Sequence, residues 1–487
     1  MYRDIKQKTK IGILWNAFEK VAVQGLSFVL NIILARLLSP HDYGAIGMIL
    51  VFLALSNVFV ESGFSRALIQ RQNRTEKDFS TVLIFNIFIS ILLYLVLFFA
   101  APAIANFYET PELVSLQRVF FLQIILNSLI VVHNAKFQIE VDFKSIALIN
   151  AIATILSGGI AVFMAYNGFG VWALVFQALI KSFVSVVCFW VKGKWIPKTG
   201  FYKESFKKLF GFGSKLLACG LLSTIVTNIY NLVIGKAYNS TSLGYYTRAQ
   251  QFPELTAGTL NSVLNNATFP MMATLQDKRD ELIQTFSRLI KLSALVVFPA
   301  MVGLAMLSDQ IILVLLGDKW LPASNLLFWL ALSYVFIPLS SLNLNLLNAI
   351  GRSDLFMKID FLKVPIIAIT MMVTFPISIK AVAIGKAVTA IVYYIINSYM
   401  PGKLYGFGPI HQIICIWKYI LASAIMGIIV LVISCLFESY LAQLIIGIII
   451  GMLVYCGVLS LLKDSEIIYF MKVLMSKTRN TDNPKWK

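Results

Sequence analysis

Long apolar runs recur along this chain with only short polar joints between them, and that pattern leaves few folds open. A bilayer offers no water to main-chain N–H and C=O groups, so a segment that crosses it must satisfy them internally. A helix does so and needs about 20 mainly apolar residues. Fourteen stretches qualify: 11–37, 43–66, 78–100, 112–134, 144–166, 169–192, 206–236, 242–272, 283–308, 321–348, 354–375, 379–400, 411–436 and 440–462. Hydrophobic residues make up 59% of the chain and charged residues 13%, against roughly 45–50% and about 25% in soluble domains. The expectation is an all-α integral membrane protein whose polar parts are loops.

The stretches are not independent. NIILARLLSPHDYGAIGMILVF begins at Asn31, and NLVIGKAYNSTSLGYYTRAQQF begins two hundred residues later at Asn231. Without a gap, Asn31 matches Asn231, Arg36 matches Lys236, Ser39 matches Asn239, Gly44 matches Gly244 and Phe52 matches Phe252. Internal duplication in a strongly apolar chain is a signature of transporters built from repeated helix bundles, with the substrate path between the copies. The division expected is an N-terminal lobe over 1–200 with six helices, a second six-helix lobe over 201–405, and helices 13 and 14 with a basic tail over 406–487.

The net charge of +18 could suggest nucleic acid, but its placement excludes that partner. Lys and Arg gather in alternate loops, at 3–10, 66–77 and 192–208 and in the tail, while the loops between are poor in them. By the positive-inside rule both termini are cytoplasmic, which an even number of helices satisfies. The first apolar run carries Asn16, Glu19, Lys20 and Gln24 without a small-residue cleavage site, so it reads as a retained helix and not a signal peptide. SDQIILVLLGDKWLP is too short to span and is expected at the outer interface. The tail SEIIYFMKVLMSKTRN suits contact with anionic membrane lipids. The five cysteines show no metal or disulfide spacing and read as small core residues.

Polar residues inside the spans are the candidates for function. Asn16, Lys20, Gln24, Ser27 and Asn31 share one face of the first helix. The seventh helix offers Lys215 and Asn231. The second offers Asn57 and Glu61, and the eighth Arg248, Glu254, Asn261 and Asn265. Glu61 falls on Asn261 in the repeat. Among the ionisable residues in spans, cations outnumber anions, and a low-dielectric cleft with that balance suits an anionic ligand. Blander readings stand beside this one. Lys291 and Lys386 are close enough to helix ends to snorkel, Asp360 and Lys363 can neutralise each other at a spacing of three, Glu61 can pair with Arg66, and Lys181 has no matched neighbour.

No catalytic constellation appears: His41, His133 and His411 lie in or beside loops or at a helix end, and no metal-ligand spacing or P-loop is present. A membrane glycan polymerase or ligase would need clustered carboxylates or a large external loop, and neither is found. The chain is expected to be no enzyme.

ILARLLSPHDYGAIGMILVF, ESGFSRALIQRQNRT, LGYYTRAQQFPEL and NNATFPMMATLQ together resemble the polysaccharide exporter branch of the multidrug/oligosaccharidyl-lipid/polysaccharide flippase superfamily, in its WzxC-like, colanic-acid-exporter type. The resemblance covers essentially the whole chain. It implies two six-helix lobes plus two helices, and transport of an undecaprenyl-pyrophosphate-linked oligosaccharide repeat unit across a bacterial plasma membrane for O-antigen, capsule or exopolysaccharide export. No cofactor is implied; coupling to a proton or sodium ion stays open, as do partnerships with polymerase and export machinery. A cation-coupled multidrug exporter is the alternative in the same superfamily. The arginine-rich cavity of the related cell-wall-precursor flippase is missing here. On this reading Lys20, Lys215 and Arg248 attract the pyrophosphate, and Asn16, Gln24, Asn31, Asn57, Asn231, Asn261 and Asn265 hydrogen-bond sugar hydroxyls. Glu61 and Glu254 balance charge or carry the coupling cation.

Overall fold

A computed structural model describes residues 23–61, 64–71 and 73–467. Helices fall on all fourteen predicted stretches: α1 Val23–Leu37, α2 Pro40–Glu61, α3 Phe64–Gln70, α4 Glu76–Tyr108, α5 Leu113–Phe120, α6 Leu122–Ile139, α7 Phe143–Tyr166, α8 Trp172–Gly193 and α9 Lys203–Ala237. There follow α10 Ser240–Thr274, α11 Arg279–Met306, α12 Ser308–Leu315, α13 Pro322–Tyr334, α14 Ile337–Ala349, α15 Ser353–Thr374, α16 Ile379–Tyr405, α17 Pro409–Ser434 and α18 Tyr440–Leu461. Among the described residues, ten spans are long and apolar enough to cross a membrane, counting α5 with α6 and α13 with α14. The protein is an all-helical, multi-pass membrane protein.

Two predicted helices are interrupted. The fourth turns at Phe121 with no proline or glycine to mark the place. The tenth breaks at 335–336, where Pro338 has no N–H for the carbonyl of Tyr334. By contrast α9 and α10 run unbroken for 35 residues each. At about 1.5 Å per residue they are about 50 Å long, well beyond a hydrocarbon core of about 30 Å.

The chain divides into two compact units, Met1–Thr247 and Arg248–Lys487. In the first, α4, α6 and α8 pack together, α7 lies on α8, and α2 and α3 lie against α9. Phe64, Leu68, Phe79, Val132, Trp195 and Leu209 form one core cluster. The basic segments beside it are anchored. Buried Asp78 accepts Arg71 Nη1 at 3.0 Å and the Thr75 N–H at 2.8 Å, capping α4, and Trp195 Nε1 donates to Glu76 at 2.8 Å. In the second unit, α11 packs on α13, α14 and α17, α16 on α13, α14 and α15, and α17 pairs with α18.

Two amide contacts, one of them reciprocal, fix α17 and α18 in that unit. Gln412 Nε2 donates to Asn343 Oδ1 at 2.8 Å while Asn343 Nδ2 donates back to Gln412 Oε1 at 3.1 Å. Tyr394 adds its hydroxyl to the same Gln412 oxygen at 3.2 Å. Gln310 Nε2 donates to Gln443 Oε1 at 2.8 Å, joining the short α12 to α18. All four amides are buried.

Candidate functional site

Repeated sequence becomes repeated geometry where α2 and α10 begin. Ser39 caps α2: its Oγ accepts the Asp42 N–H at 3.3 Å and donates to the Asp42 carboxylate at 2.7 Å. Asn239 caps α10 in the same way, Oδ1 accepting the Ser242 N–H at 2.7 Å. Each cap is worth about 0.5–2 kcal/mol. One turn on, the two helices touch main chain to main chain. A Cβ on Gly44 would overlap the Ser240 carbonyl, and one on Gly244 would overlap the Pro40 carbonyl. Positions 40 and 240, like 44 and 244, are matched in the repeat, so one contact is made twice. Gly47 continues it, its Cβ position lying 3.1 Å from Leu243 Cδ2. Without hydrophobic drive between helices in lipid, close approach at small residues supplies the attraction, helped by Cα–H···O contacts.

An ion pair and a histidine–carboxylate contact flank this crossing. Lys236 Nζ lies 2.8 Å from Glu109 Oε1, and His41 Nε2 lies 3.5 Å from Glu112. The hydrogen bond and charge of Lys236 hold the Glu109 carboxyl below the usual range.

Within the first unit, Asn57 is half-buried and committed. Asn127 Nδ2 donates to its Oδ1 at 3.4 Å, and Ser182 Oγ donates to Asn127 Oδ1 at 2.9 Å, so the amide ties α2, α6 and α8 together. Asn31 donates to the Ser27 carbonyl of its own helix at 2.8 Å. Gln24 and Glu61 are exposed and Asn231 is half-buried. Asn16 and Lys20 lie outside the described residues, as do the side chains of Lys215, Asn265 and Arg66.

In the second unit, Arg248 and Asn261 are half-buried on α10, and Glu254 is exposed between them. Glu254 belongs to a cluster whose other members the sequence reading did not select. Gln250 Nε2 donates to Glu254 Oε2 at 3.3 Å, and Lys386 Nζ on α16 donates to Gln250 Oε1 at 3.3 Å. Lys386 also lies 5.5 Å from the centroid of the Tyr334 ring on α13. Lys386 was expected to snorkel; it bonds across to α10 instead. The one available signal was the spacing of Gln250 and Glu254, four apart on one face. The pairing expected of Asp360 and Lys363 is present, at 2.7 Å. Among the described residues no group of three or more His, Cys, Asp or Glu could hold a metal ion. What these residues offer is hydrogen bonding and charge.

Comparison with known proteins adds to this geometry. The family described as "Polysaccharide biosynthesis protein" matches residues 33–325. "Teichuronic acid biosynthesis protein TuaB" of Bacillus subtilis is 26% identical over 90% of this chain and 92% of its own. "Lipopolysaccharide biosynthesis protein WzxC" of Escherichia coli is 26% identical over 75% of each. Among solved structures, "Lipid II flippase MurJ, inward closed conformation" superposes with a TM-score of 0.73 at 19% identity, over 94% of this chain and 99% of that one. That likeness fixes the fold as one with a two-lobe architecture.

Proposed function

The chain belongs to the family described as polysaccharide biosynthesis proteins, and from that premise we propose that it flips an undecaprenyl-pyrophosphate-linked oligosaccharide repeat unit across a bacterial inner membrane. It is a membrane transport protein of polysaccharide biosynthesis and export, not an enzyme. The finer reading is supported above all by the glycine crossing, a main-chain contact made twice by matched residues. Such a contact can hold one end of the helix hairpins shut without any side chain in the way. The cycle is alternating access between two lobes, with both termini cytoplasmic and the crossing at the outer face. Arg248, one turn along α10 from Gly244, meets the pyrophosphate that enters from the inner side. Lys20 and Lys215 supply further positive charge, and the asparagines on these helices meet sugar hydroxyls.

The test is a vesicle assay. Protein is reconstituted with a short-chain polyprenyl-pyrophosphate oligosaccharide, and an impermeant lectin reads its arrival in the far leaflet. The parent and Lys20→Arg are expected to move it, Lys20→Gln to lose most of the rate, and Lys20→Glu to abolish it. Extrusion of lipophilic cations with no leaflet exchange would favour a drug exporter instead.

A further inference from the structure

Lys386 is the eighth residue of α16, and its side chain does not run to the helix end. Its Nζ bonds Gln250 at 3.3 Å and faces the Tyr334 ring at 5.5 Å. Gln250 passes the contact on to Glu254, at 3.3 Å. Three helices thus converge on one ammonium.

The groups described around that ammonium are electron-rich: the Gln250 amide oxygen, the π face of Tyr334 and, behind Gln250, the Glu254 carboxylate. An anion would be repelled by this set. A single positive charge of ammonium size fits it.

We infer that Gln250, Glu254 and the Tyr334 ring form a monovalent-cation site that Lys386 fills from within the chain. The parent protein then needs no dissolved cation at this place, and removal of the ammonium opens the site to potassium or to a small alkylammonium ion. This goes beyond the transport reading. Its readout is ion binding by purified protein and is independent of what is carried.

The experiment measures the melting temperature of the full chain in nanodiscs at constant ionic strength, in chloride salts of potassium, methylammonium or N-methylglucamine. The parent and Lys386→Arg are expected to melt alike in all three. Lys386→Ala should melt lowest in N-methylglucamine and gain about 2–4 °C in potassium or methylammonium. The double variant Lys386→Ala/Glu254→Gln should lose that gain. Should Lys386→Ala not fold, the double variant must still be recovered, because the carboxylate left without its cation is then what prevents folding. Indifference of folded Lys386→Ala to the salt, an equal gain in the parent, a gain that survives in the double variant, or failure of both variants to fold would each overturn the inference.

Discussion

From Ser39 to Gly44 and from Asn239 to Gly244, α2 and α10 carry equivalent caps, and each glycine is met by the first-turn carbonyl of the other helix. Further along, the copies part. Met48, Leu50 and Ala54 of α2 stand in register with Arg248, Gln250 and Glu254 of α10. Met48 is fully buried where Arg248 is half-buried, and Ala54 is half-buried where Glu254 is exposed, although Leu50 is exposed. A contact between two copies needs both, so a side chain added to either one disturbs the whole crossing. A charged site needs only one copy, which leaves the other free to become apolar packing.

The harshest way to break this comparison is at the crossing. Gly44→Val and Gly244→Val are each expected to reduce surface polysaccharide to near background at matched membrane abundance, and by similar amounts, because the atoms in the way are main chain and cannot rotate aside. Gly159→Ala in α7, where an added Cβ meets nothing within 4 Å, should export like the parent. A severe Gly44 variant beside a harmless Gly244 variant would end the claim that one contact is made twice. A smaller effect tests the divergent part. Arg248→Met, which restores the symmetry of the repeat, should lower export about tenfold, the equivalent of about 1.4 kcal/mol, at normal abundance. Full export by Arg248→Met would remove that side chain from the substrate path. The smallest effect belongs to the exposed flank. The Glu109 carboxyl is held low by Lys236, so its contribution to stability is present above the ordinary carboxylate range and is lost as pH falls through the depressed value. Melting curves of the parent and Glu109→Gln should differ slightly at neutral pH and converge in acid below about pH 4. A gap that widens in acid would assign Glu109 another partner.

The fold was legible because run length alone decides it in lipid, and the predicted stretches coincide with described helices, the first of them over 23–37 alone because 11–22 lie outside the described residues. The break beside Tyr334 was hidden, although Pro338 was in view, because the apolar run passes through it without interruption. The site was less legible. Periodicity places Asn57 on a polar face but cannot say that Asn127 and Ser182, on two other helices, will take up its amide. Asn31 shares that limit, its amide turned back to Ser27. Lys386 was read from its distance along α16, whereas its neighbours come from α10 and α13, and only packing brings those together.

The interlocked amides of Asn343 and Gln412 carry a consequence for heredity. Replacing either one by an aliphatic residue strands the other's buried amide at a cost of about 1–3 kcal/mol, while replacing both with apolar groups of matching shape can be nearly neutral. One-step changes at either codon are therefore penalised, and a paired change escapes the cost in full only when Tyr394, whose hydroxyl shares the Gln412 oxygen, changes with it. The two positions, 69 residues apart in the chain, should behave in descent as a single locus.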